Sequence, residues 1–267
     1  MSGTESSGST TALTLSARPL LEDTVIVVPA YKEAGGIAAV IDEIRAAINP
    51  IVLVINRPSN DGTDVRAREH GAIVVDQSGR GKGNAMRQAI EYVRTNLPNA
   101  RYIGFVDADC TYPASPMGSM RQLLDSQPQL GMVIAARENL KNNGAKSEAF
   151  AIGNRLLGGV HHALNHVPLQ DPLSGLRMVK TEAIGDWRPR AQGFDIECEL
   201  NYFVRNVKDL EITEVDVPYR ARVGEKKLRL RDGLVILRRM ILIALRPPSP
   251  HAAPAERPEI GARPTQP

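Results

Sequence analysis

Two aspartates one residue apart, Asp107 and Asp109, directly follow the apolar run of residues 102–106. Carboxylates that leave the end of a buried strand can share one hard divalent cation, and such a cation usually keeps open positions for phosphate oxygens. The pair therefore indicates a site for a metal ion and a pyrophosphate group. Turns and helix caps use the same spacing, so the meaning of the pair depends on the rest of the chain.

Polar segments also follow two earlier apolar runs. After the first run, the Tyr31 ring and the Glu33 carboxylate could flank a planar base and bind its edge, although an ordinary strand-to-helix turn is the alternative. After the second run a polar loop begins at Asn56, and its Asp61 either caps the next helix or takes part in ribose and base recognition.

A glycine-rich segment, residues 78–84, opens a third helical pattern. Its glycines would let the backbone approach an anion, a helix N-terminus favours negative charge, and Lys82 supplies a positive charge. The segment is not a Walker A loop, because Asp76 and Gly83 stand where that motif needs Gly and Ser or Thr. It also follows the third strand, whereas a dinucleotide fingerprint follows the first. A plain glycine-rich turn remains the alternative.

The elements that position these residues alternate along the chain. Val- and Ile-rich runs predict strands at 24–28, 51–55, 72–76 and 102–106, and helical apolar spacing predicts helices at 34–49, 61–70 and 81–97. Later patterns predict helices at 117–125, 146–165 and 195–207, strands at 132–136 and 212–217, and a turn at 171–172. This alternation predicts an α/β fold with a mostly parallel twisted sheet, helices on both faces and ligands at its carboxyl edge.

The order of these features carries a family resemblance. A possible base site, a polar loop, a basic glycine loop and Asp-x-Asp end four successive strands, and this order resembles the GT-A glycosyltransferases of family 2, with their "VVPxYNE", "DDGSxDGT", "GKG" and "DAD" landmarks. Residues 171–177, 193–197 and 222–228 are similar to the "D-x-x-SGF-R", "GF-x-x-E" and "R-x-x-GESKL" segments of dolichyl-phosphate mannose synthase and related polyprenyl-phosphate sugar transferases.

The resemblance implies a role for each matching position, with Mg²⁺ or Mn²⁺ as the cofactor. Nucleoside contacts would come from Pro29, Tyr31, Glu33, Asn56 and Asp61, and the metal that bridges the diphosphate would be held by Asp107 and Asp109, beside Ala108. Phosphate charge would be neutralised by Lys82, Arg137 and Arg155. The sugar and acceptor region would be lined by Asp171, Ser174 and Arg177. The leaving diphosphate would be covered by Arg222 and Lys227. A structural salt bridge is the alternative around Asp171.

Two departures from the family pattern affect ligand choice. Asn56, Arg57 and Pro58 replace the two aspartates and glycine of the second motif, so the usual carboxylate contact to the base is missing and the donor could be GDP- or UDP-linked. Thr111 stands where the mannose synthases often have Gln, so a hydroxyl or a water would have to serve beside the metal.

The resemblance implies inverting transfer of a hexose from a nucleotide-diphosphate sugar to a polyprenyl phosphate. A phosphate acceptor is already ionised at neutral pH, so this chemistry needs no general base. One alternative is transfer to a hydroxyl of a small molecule, for which Asp171, Asp195 or Glu197 would have to act as base. A second alternative is a nucleotide-sugar binding module without turnover.

Composition and charge set the remaining limits. The chain has 267 residues, 42% of them hydrophobic, and its net charge of +3 gives no global basic field for nucleic acid. We expect a catalytic domain at 22–246 between disordered tails at 1–21 and 247–267. Two distant cysteines and an N-terminus unlike a signal peptide indicate a cytoplasmic protein. Residues 229–246 predict an amphipathic helix that either packs on the core or lies on a membrane surface.

Overall fold

The structure is a computed structural model that describes residues 18–138, 145–225 and 230–245. Seven strands and seven α-helices form most of this part of the chain, together with a 3-10 helix at Thr181–Ile184 and a π-helical turn at Phe203–Val207. In chain order they are β1 Leu21–Ala30, α1 Ile37–Ile48, β2 Pro50–Asn56, α2 Thr63–Glu69, β3 Ile73–Asp76, α3 Lys82–Asn96, β4 Tyr102–Phe105, α4 Met117–Ser126, β5 Leu130–Glu138, α5 Ala145–Asn165, β6 Arg177–Lys180, α6 Ile196–Tyr202, β7 Glu211–Pro218 and α7 Leu230–Leu245.

The strands form a single sheet in the order β3-β2-β1-β4-β6-β5-β7. Neighbours run parallel except at β6, which is antiparallel to both β4 and β5. The predicted mostly parallel α/β fold is therefore confirmed. The chain runs from β1 to β2 and β3 on one side of β1 and then returns to β4 on its other side. Where the strand order reverses in this way, the carboxyl ends of the strands form the crevice in which open α/β sheets bind ligands.

Successive side chains of each strand point to opposite faces of the sheet, and both faces are apolar. Ile26 and Val28 of β1 point into one core, which packs against α1 and α4, whereas Val25 and Val27 point into the other, which packs against α3 and α6. All four side chains are fully buried. A strand that is buried on both faces must be apolar along its whole length, and this explains the continuous Val and Ile runs.

The structure differs from the sequence prediction at two places in the sheet. Strand β6 was not predicted, because a run of four residues that includes Arg177 and Lys180 lacks an apolar pattern. The first strand does not stop at Pro29, since its pairing with β2 continues through Pro29 to Ala30. The missing N–H of a proline is tolerated there because only one side of the residue pairs with a neighbouring strand.

The predicted C-terminal helix is present as α7, which packs against α5 and α6. Its inner side is formed by Ile236, Met240 and Ile243, and Ile236 and Met240 cluster with Cys198 of α6. In the described ranges, no helix is both long and apolar enough to cross a bilayer. The predicted tail at 247–267 and residues 1–17 of the other tail lie outside the described residues, and Leu21 already belongs to β1.

A buried histidine of α5 lies beside the asparagine that links α5 to α7. The Nδ1 atom of His161 lies 3.2 Å from Nδ2 of Asn165, and the same Nδ2 donates to the carbonyl oxygen of Met240 at 3.2 Å. Burial, with a smaller contribution from the charge of Arg177, lowers the pKa of His161 to about 4. An unfolded histidine titrates near about pH 6.5, so the unfolded chain takes up a proton between these values that the native state does not.

His161 should therefore make the protein sensitive to acid. The contribution of neutral His161 to the free energy of unfolding is complete above about pH 6.5 and is lost as the pH falls towards the native pKa. The loss amounts to about 3 kcal/mol. We expect urea unfolding to show a larger loss of unfolding free energy between neutral pH and about pH 4 for the natural chain than for His161→Gln, which keeps an acceptor for Asn165. Parallel pH profiles for the two proteins would contradict this assignment.

Candidate active site

The acidic pair lies in a tight turn directly after β4. Val106 is tied to β1 by a hydrogen bond from its N–H to the carbonyl oxygen of Val27, 3.1 Å long, and the turn closes at Cys110, whose φ is +62°. Thr111 donates to Oδ1 of Asp109 from both its backbone N–H, at 3.1 Å, and its hydroxyl, at 2.5 Å. Asp109 is thus held rigidly and is 2% exposed.

The Asp107 carboxylate faces Lys82, which is the first residue of α3. The Nζ atom of Lys82 lies 2.7 Å from Oδ1 of Asp107 and 2.8 Å from Oε1 of Glu197 on α6. The second oxygen of Glu197, Oε2, is buried and has no hydrogen-bond partner among the described residues. Glu197 therefore offers one unused acceptor beside the acidic pair.

These charges perturb one another strongly. Burial alone would lower the pKa of Lys82, but the carboxylates of Asp107 and Glu197 raise it, so the ammonium form persists. Burial opposes the ionisation of Asp107, yet Lys82 together with Arg222 and Arg137 lowers its pKa. Burial and the neighbouring charge of Asp107 raise the pKa of Asp109, against the opposing effects of Thr111 and Arg222. The two acids consequently differ in basicity although they are one residue apart.

The glycines of residues 78–84 lie against the segment formed by residues 191–192. The N–H groups of Gly83 and Asn84 donate to the carbonyl oxygen of Gln192, at 3.0 and 3.4 Å. A side chain at Gly81 or Gly83 would collide with the backbone of residues 191–192. The glycines therefore let this segment approach the N-terminus of α3, and the charge of Lys82 is what the loop contributes to the acidic pair.

The predicted base-binding residues meet at the ends of β1 and β2. The guanidinium carbon of Arg57 lies 4.1 Å from the centre of the Tyr31 ring, in a cation–π contact. Asn56 is 2% exposed, and its Oδ1 has no hydrogen-bond donor within the described ranges. Sequence reasoning treated Arg57 only as a departure from the family pattern; its stacking on Tyr31 depends on strand pairing that no motif reveals.

Asp61 lies two residues before α2 and ties the polar loop to the first motif. Its Oδ1 accepts from the backbone N–H and hydroxyl of Thr63, at 3.3 and 2.9 Å, and its Oδ2 accepts from the N–H of Ala34 at 3.2 Å. The Thr63 hydroxyl oxygen in turn accepts from the N–H of Glu33 at 2.9 Å. Burial opposes the ionisation of Asp61, but the hydroxyl of Ser59, which donates to Oδ1 at 2.7 Å, and the contacts from Thr63 and Ala34 lower its pKa to about 2. Asp61 thus accepts from the first N–H of α2, but the cap residue of this helix is Gly62, and a nucleotide contact of Asp61 stays a prediction.

Asp171 is the centre of a buried polar network. Its carboxylate accepts from Nε of Arg137 at 2.6 Å, from Nη2 of Arg137 at 2.7 Å and from Nδ2 of Asn154 at 3.0 Å. Arg137 also lies over the Tyr219 ring, 5.4 Å from its centre. Since both oxygens of Asp171 are used, the arrangement favours the structural alternative for Asp171.

Three further predicted residues of the site are Arg177, Arg155 and Lys227. Arg177 is 1% exposed in β6, where its guanidinium donates to the carbonyl oxygen of Ser174 and to Oδ1 of Asn201, so its position favours a structural role. Arg155 is exposed on α5 and forms no ion pair with another described residue. Lys227 lies outside the described residues.

A loop after β7, residues 219–225, covers the cleft between the acidic pair and the base side. The N–H of Arg220 donates to the carbonyl oxygen of Thr111 at 3.0 Å, and that of Val223 donates to the carbonyl oxygen of Asp109 at 2.9 Å. The guanidinium of Arg222 forms an ion pair with Oδ2 of Asp109. The loop also passes close to Glu33. A Cβ atom added at Gly224 would lie 3.3 Å from a carboxylate oxygen of Glu33.

The donor set at the acidic pair fits a hard divalent ion that brings other ligands with it. Two carboxylates one residue apart suit Mg²⁺ or Mn²⁺, which usually keep waters and bind substrate phosphates. Gly175 lets the Asp107 carboxylate take its place, because any side chain there would collide with that group. Among the described residues, no cluster of three or more His, Cys, Asp or Glu could enclose a metal completely, so an ion here would depend on phosphate or water oxygens.

Comparisons with known proteins relate this chain to glycosyltransferases. The chain is 35% identical over 221 residues to glycosyltransferase AglJ of Haloferax volcanii, covering 82% of this chain and 71% of the relative. It is 28% identical over 217 residues to the dolichyl-phosphate hexose transferase of the same organism, covering 78% and 87%. Glucosyl-3-phosphoglycerate synthase from Mycobacterium tuberculosis, crystallised with Mn²⁺, uridine-diphosphate-glucose and phosphoglyceric acid, superposes with a TM-score of 0.63 at 23% identity, covering 83% of this chain and 78% of that one.

The family assignment rests on a match over more than half of the chain and on a relative of 35% identity. The model for glycosyl transferase family 2 matches residues 25–169, which extend from within β1 through α5 and include the acidic pair after β4. The sheet with its antiparallel β6 is the GT-A fold that the resemblance implied. The chain therefore belongs to glycosyl transferase family 2.

Proposed function

We propose that this glycosyltransferase moves a hexose, with inversion, from a nucleotide-diphosphate sugar to a polyprenyl phosphate, and that it requires Mg²⁺ or Mn²⁺. The observation that carries the proposal is the acidic pair after β4, with Lys82 against Asp107 and Arg222 against Asp109. Fixed charges of both signs at the crevice of the sheet suit a departing diphosphate and its counterion.

The main chemical task is to stabilise the charge of the departing diphosphate. A divalent ion bound by Asp107 and Asp109 would supply Lewis-acid stabilisation of that charge. Lys82 and Arg222 are already held at the two carboxylates and would supply further positive charge without reorganisation. Arg137 is close enough to lower the pKa of Asp107, so its charge also acts on this region.

A phosphate acceptor needs no base, and Asp171 is poorly placed to act as one. Both oxygens of Asp171 are occupied by Arg137 and Asn154, so this carboxylate is a poor proton acceptor. A phosphate monoester is ionised at neutral pH and can attack the sugar directly. The 28% identity to a dolichyl-phosphate hexose transferase supports an acceptor of this kind, and Arg137 would balance its charge.

The donor base would lie at Tyr31, Asn56 and Arg57. The unpaired Oδ1 of Asn56 would accept the imide-type N–H that uracil and guanine both carry, so Asn56 can replace the aspartate of the family motif for either base. Arg57 on the Tyr31 ring extends a flat surface against which a base can stack. The solved complex with uridine-diphosphate-glucose supports a nucleotide-diphosphate sugar as donor.

The test is a transfer assay with the purified full chain. GDP-mannose, UDP-glucose and UDP-N-acetylglucosamine would be incubated with Mn²⁺ or Mg²⁺ and a short-chain polyprenyl phosphate, and products identified by mass. We expect one donor to yield a polyprenyl-phosphate hexose, and excess chelator to stop the reaction. Full activity in chelator would refute the metal requirement, and product formation only from alcohols would refute the acceptor.

Transfer to a hydroxyl is the second candidate, and the free Oε2 of Glu197 is the observation that favours it. Such a reaction needs a base, and Glu197 has a carboxylate oxygen without a partner in the described part of the chain, whereas Asp195 is paired with Arg239. The same assay with glycerol, phosphoglycerate and sugar alcohols separates the candidates. Hydroxyl transfer would be lost in Glu197→Gln, whereas transfer to a phosphate would retain measurable turnover.

A further inference from the structure

A cavity that is open to solvent lies on the opposite side of α6 from the acidic pair. It has a volume of about 310 Å³ and lies between the segment that precedes α6 and the middle turns of α7. Its lining residues are Arg190, Gln192, Gly193, Asp195, Val235, Arg238, Arg239 and Leu242. The cavity therefore combines three arginines with two aliphatic side chains of α7.

Only one of these arginines is neutralised within the described part of the chain. The Nε atom of Arg239 lies 2.8 Å from Oδ2 of Asp195, and its Nη1 lies 3.5 Å from Oε2 of Glu199. The guanidinium groups of Arg190 and Arg238 have no ion pair with any described residue. Two unpaired positive charges at the rim of a cavity attract an anionic group, and guanidinium groups match the geometry of phosphate.

The solvent side of α7 is apolar next to this cavity. Leu234 is 71% exposed and Leu245 is 73% exposed, and Val235, Ile241 and Leu242 are exposed between them. These residues recur at helical spacing around Arg238, so they form one continuous strip, defined here as the α7 strip. A helix that packs its other side on the core and exposes aliphatic residues mixed with arginine is suited to the surface of an anionic bilayer.

The cavity is separated from the sugar-transfer site by α6. Asp195 and Glu199, one helical turn apart, face Arg239 and the cavity. Glu197 lies between them in sequence and faces Lys82 and Asp107 on the other side of the helix. The cavity and the acidic pair therefore face different sides of α6, although Gln192 of the cavity wall also contacts the N-terminus of α3.

We propose that this cavity binds the phosphate of an anionic membrane phospholipid and thereby docks the α7 strip on a bilayer. Arg190 and Arg238 pair with the phosphate, and the strip enters the region of the acyl chains. A free phosphate would use only the arginines, whereas the exposed Val235 and Leu242 in the wall favour a ligand with a hydrocarbon part. The proposal rests on the proposed function in one respect, because a membrane-borne acceptor supplies the reason for docking.

The test measures binding of the full chain to vesicles. Wild-type protein, Arg190→Gln/Arg238→Gln and Leu234→Ser/Leu245→Ser would be sedimented with vesicles of phosphatidylcholine alone or with phosphatidylglycerol. The matched control is Arg18→Gln/Arg66→Gln, which removes the same charge at two exposed arginines remote from α7. We expect binding to the anionic vesicles only, and a loss of at least about tenfold in both α7-side variants but not in the control.

Each outcome separates the docking site from catalysis. Equal binding by wild type and both test variants, or an equal loss in the control, would overturn the proposal. Competition by inorganic phosphate as strong as that by phosphatidylglycerol vesicles would show a site for the free anion and would overturn the lipid assignment. Transfer to a short-chain acceptor without vesicles should be unchanged in Arg190→Gln/Arg238→Gln, so a failed transfer assay and a failed docking assay are distinguishable. Melting temperatures equal to wild type would verify folding.

Discussion

Asp109→Asn is expected to lower the rate of sugar transfer by at least about a thousandfold, because it removes one of two carboxylates that would hold the divalent ion. Asparagine keeps the size of the side chain and can still accept the hydrogen bonds from Thr111. The change also removes a buried carboxylate whose pKa is raised by burial and by Asp107, so the fold should persist. The measurement is kcat/KM for the nucleotide sugar, with Mn²⁺ affinity determined by calorimetry in parallel.

The matched control is Asp125→Asn, near the opposite end of β4. Asp125 is also paired with arginines, Arg101 and Arg121, and hydrogen-bonds to Tyr102. It shares the chemistry of Asp109 but not its place at the carboxyl edge of the sheet. Asp125→Asn should therefore leave kcat/KM within a few fold of wild type. Undiminished transfer by Asp109→Asn, or unchanged Mn²⁺ affinity, would remove the basis of the proposed function.

Lys82→Met is the second change with a large expected effect, and it should act on both stability and activity. Lys82 is the cation shared by Asp107 and Glu197, at 2.7 and 2.8 Å. Removing one member of a buried ionic group leaves the others uncompensated, which typically costs about 3 to 5 kcal/mol. The charge that would face the leaving diphosphate is lost as well, so we expect kcat to fall at least about a hundredfold. Urea unfolding and steady-state kinetics measure the two effects.

Lys180→Met is the matched control for the effects of Lys82→Met on stability and on activity. Lys180 is equally inaccessible, at 9% exposure, but its Nζ donates only to the backbone carbonyl oxygens of Gln127 and Pro128. Its replacement leaves no carboxylate unpaired, so we expect a smaller loss of unfolding free energy and unchanged kcat. If Lys82→Met kept wild-type kcat once folded, Lys82 would be only a structural cation.

Local sequence was sufficient for the architecture of the first half of the domain. The Val and Ile runs and the helical spacing that follows each of them are local patterns, so the alternation of β1 to β4 with α1 to α3 could be predicted. The position of Asp107 and Asp109 at the carboxyl edge followed from the same alternation, because carboxylates after a parallel strand must emerge there. The family motifs supported this interpretation, and the match over residues 25–169 confirms the family.

Only the tertiary structure decided which partners these residues have. Lys82 meets Glu197 across 115 positions of sequence, Arg57 stacks on Tyr31 through strand pairing, and residues 191–192 occupy the space that the glycines leave. Each contact joins segments that are remote along the chain, so no local pattern contains it. Strand β6 was missed for a related reason: its place in the sheet comes from pairing with β4 and β5, which residues 177–180 do not encode by themselves.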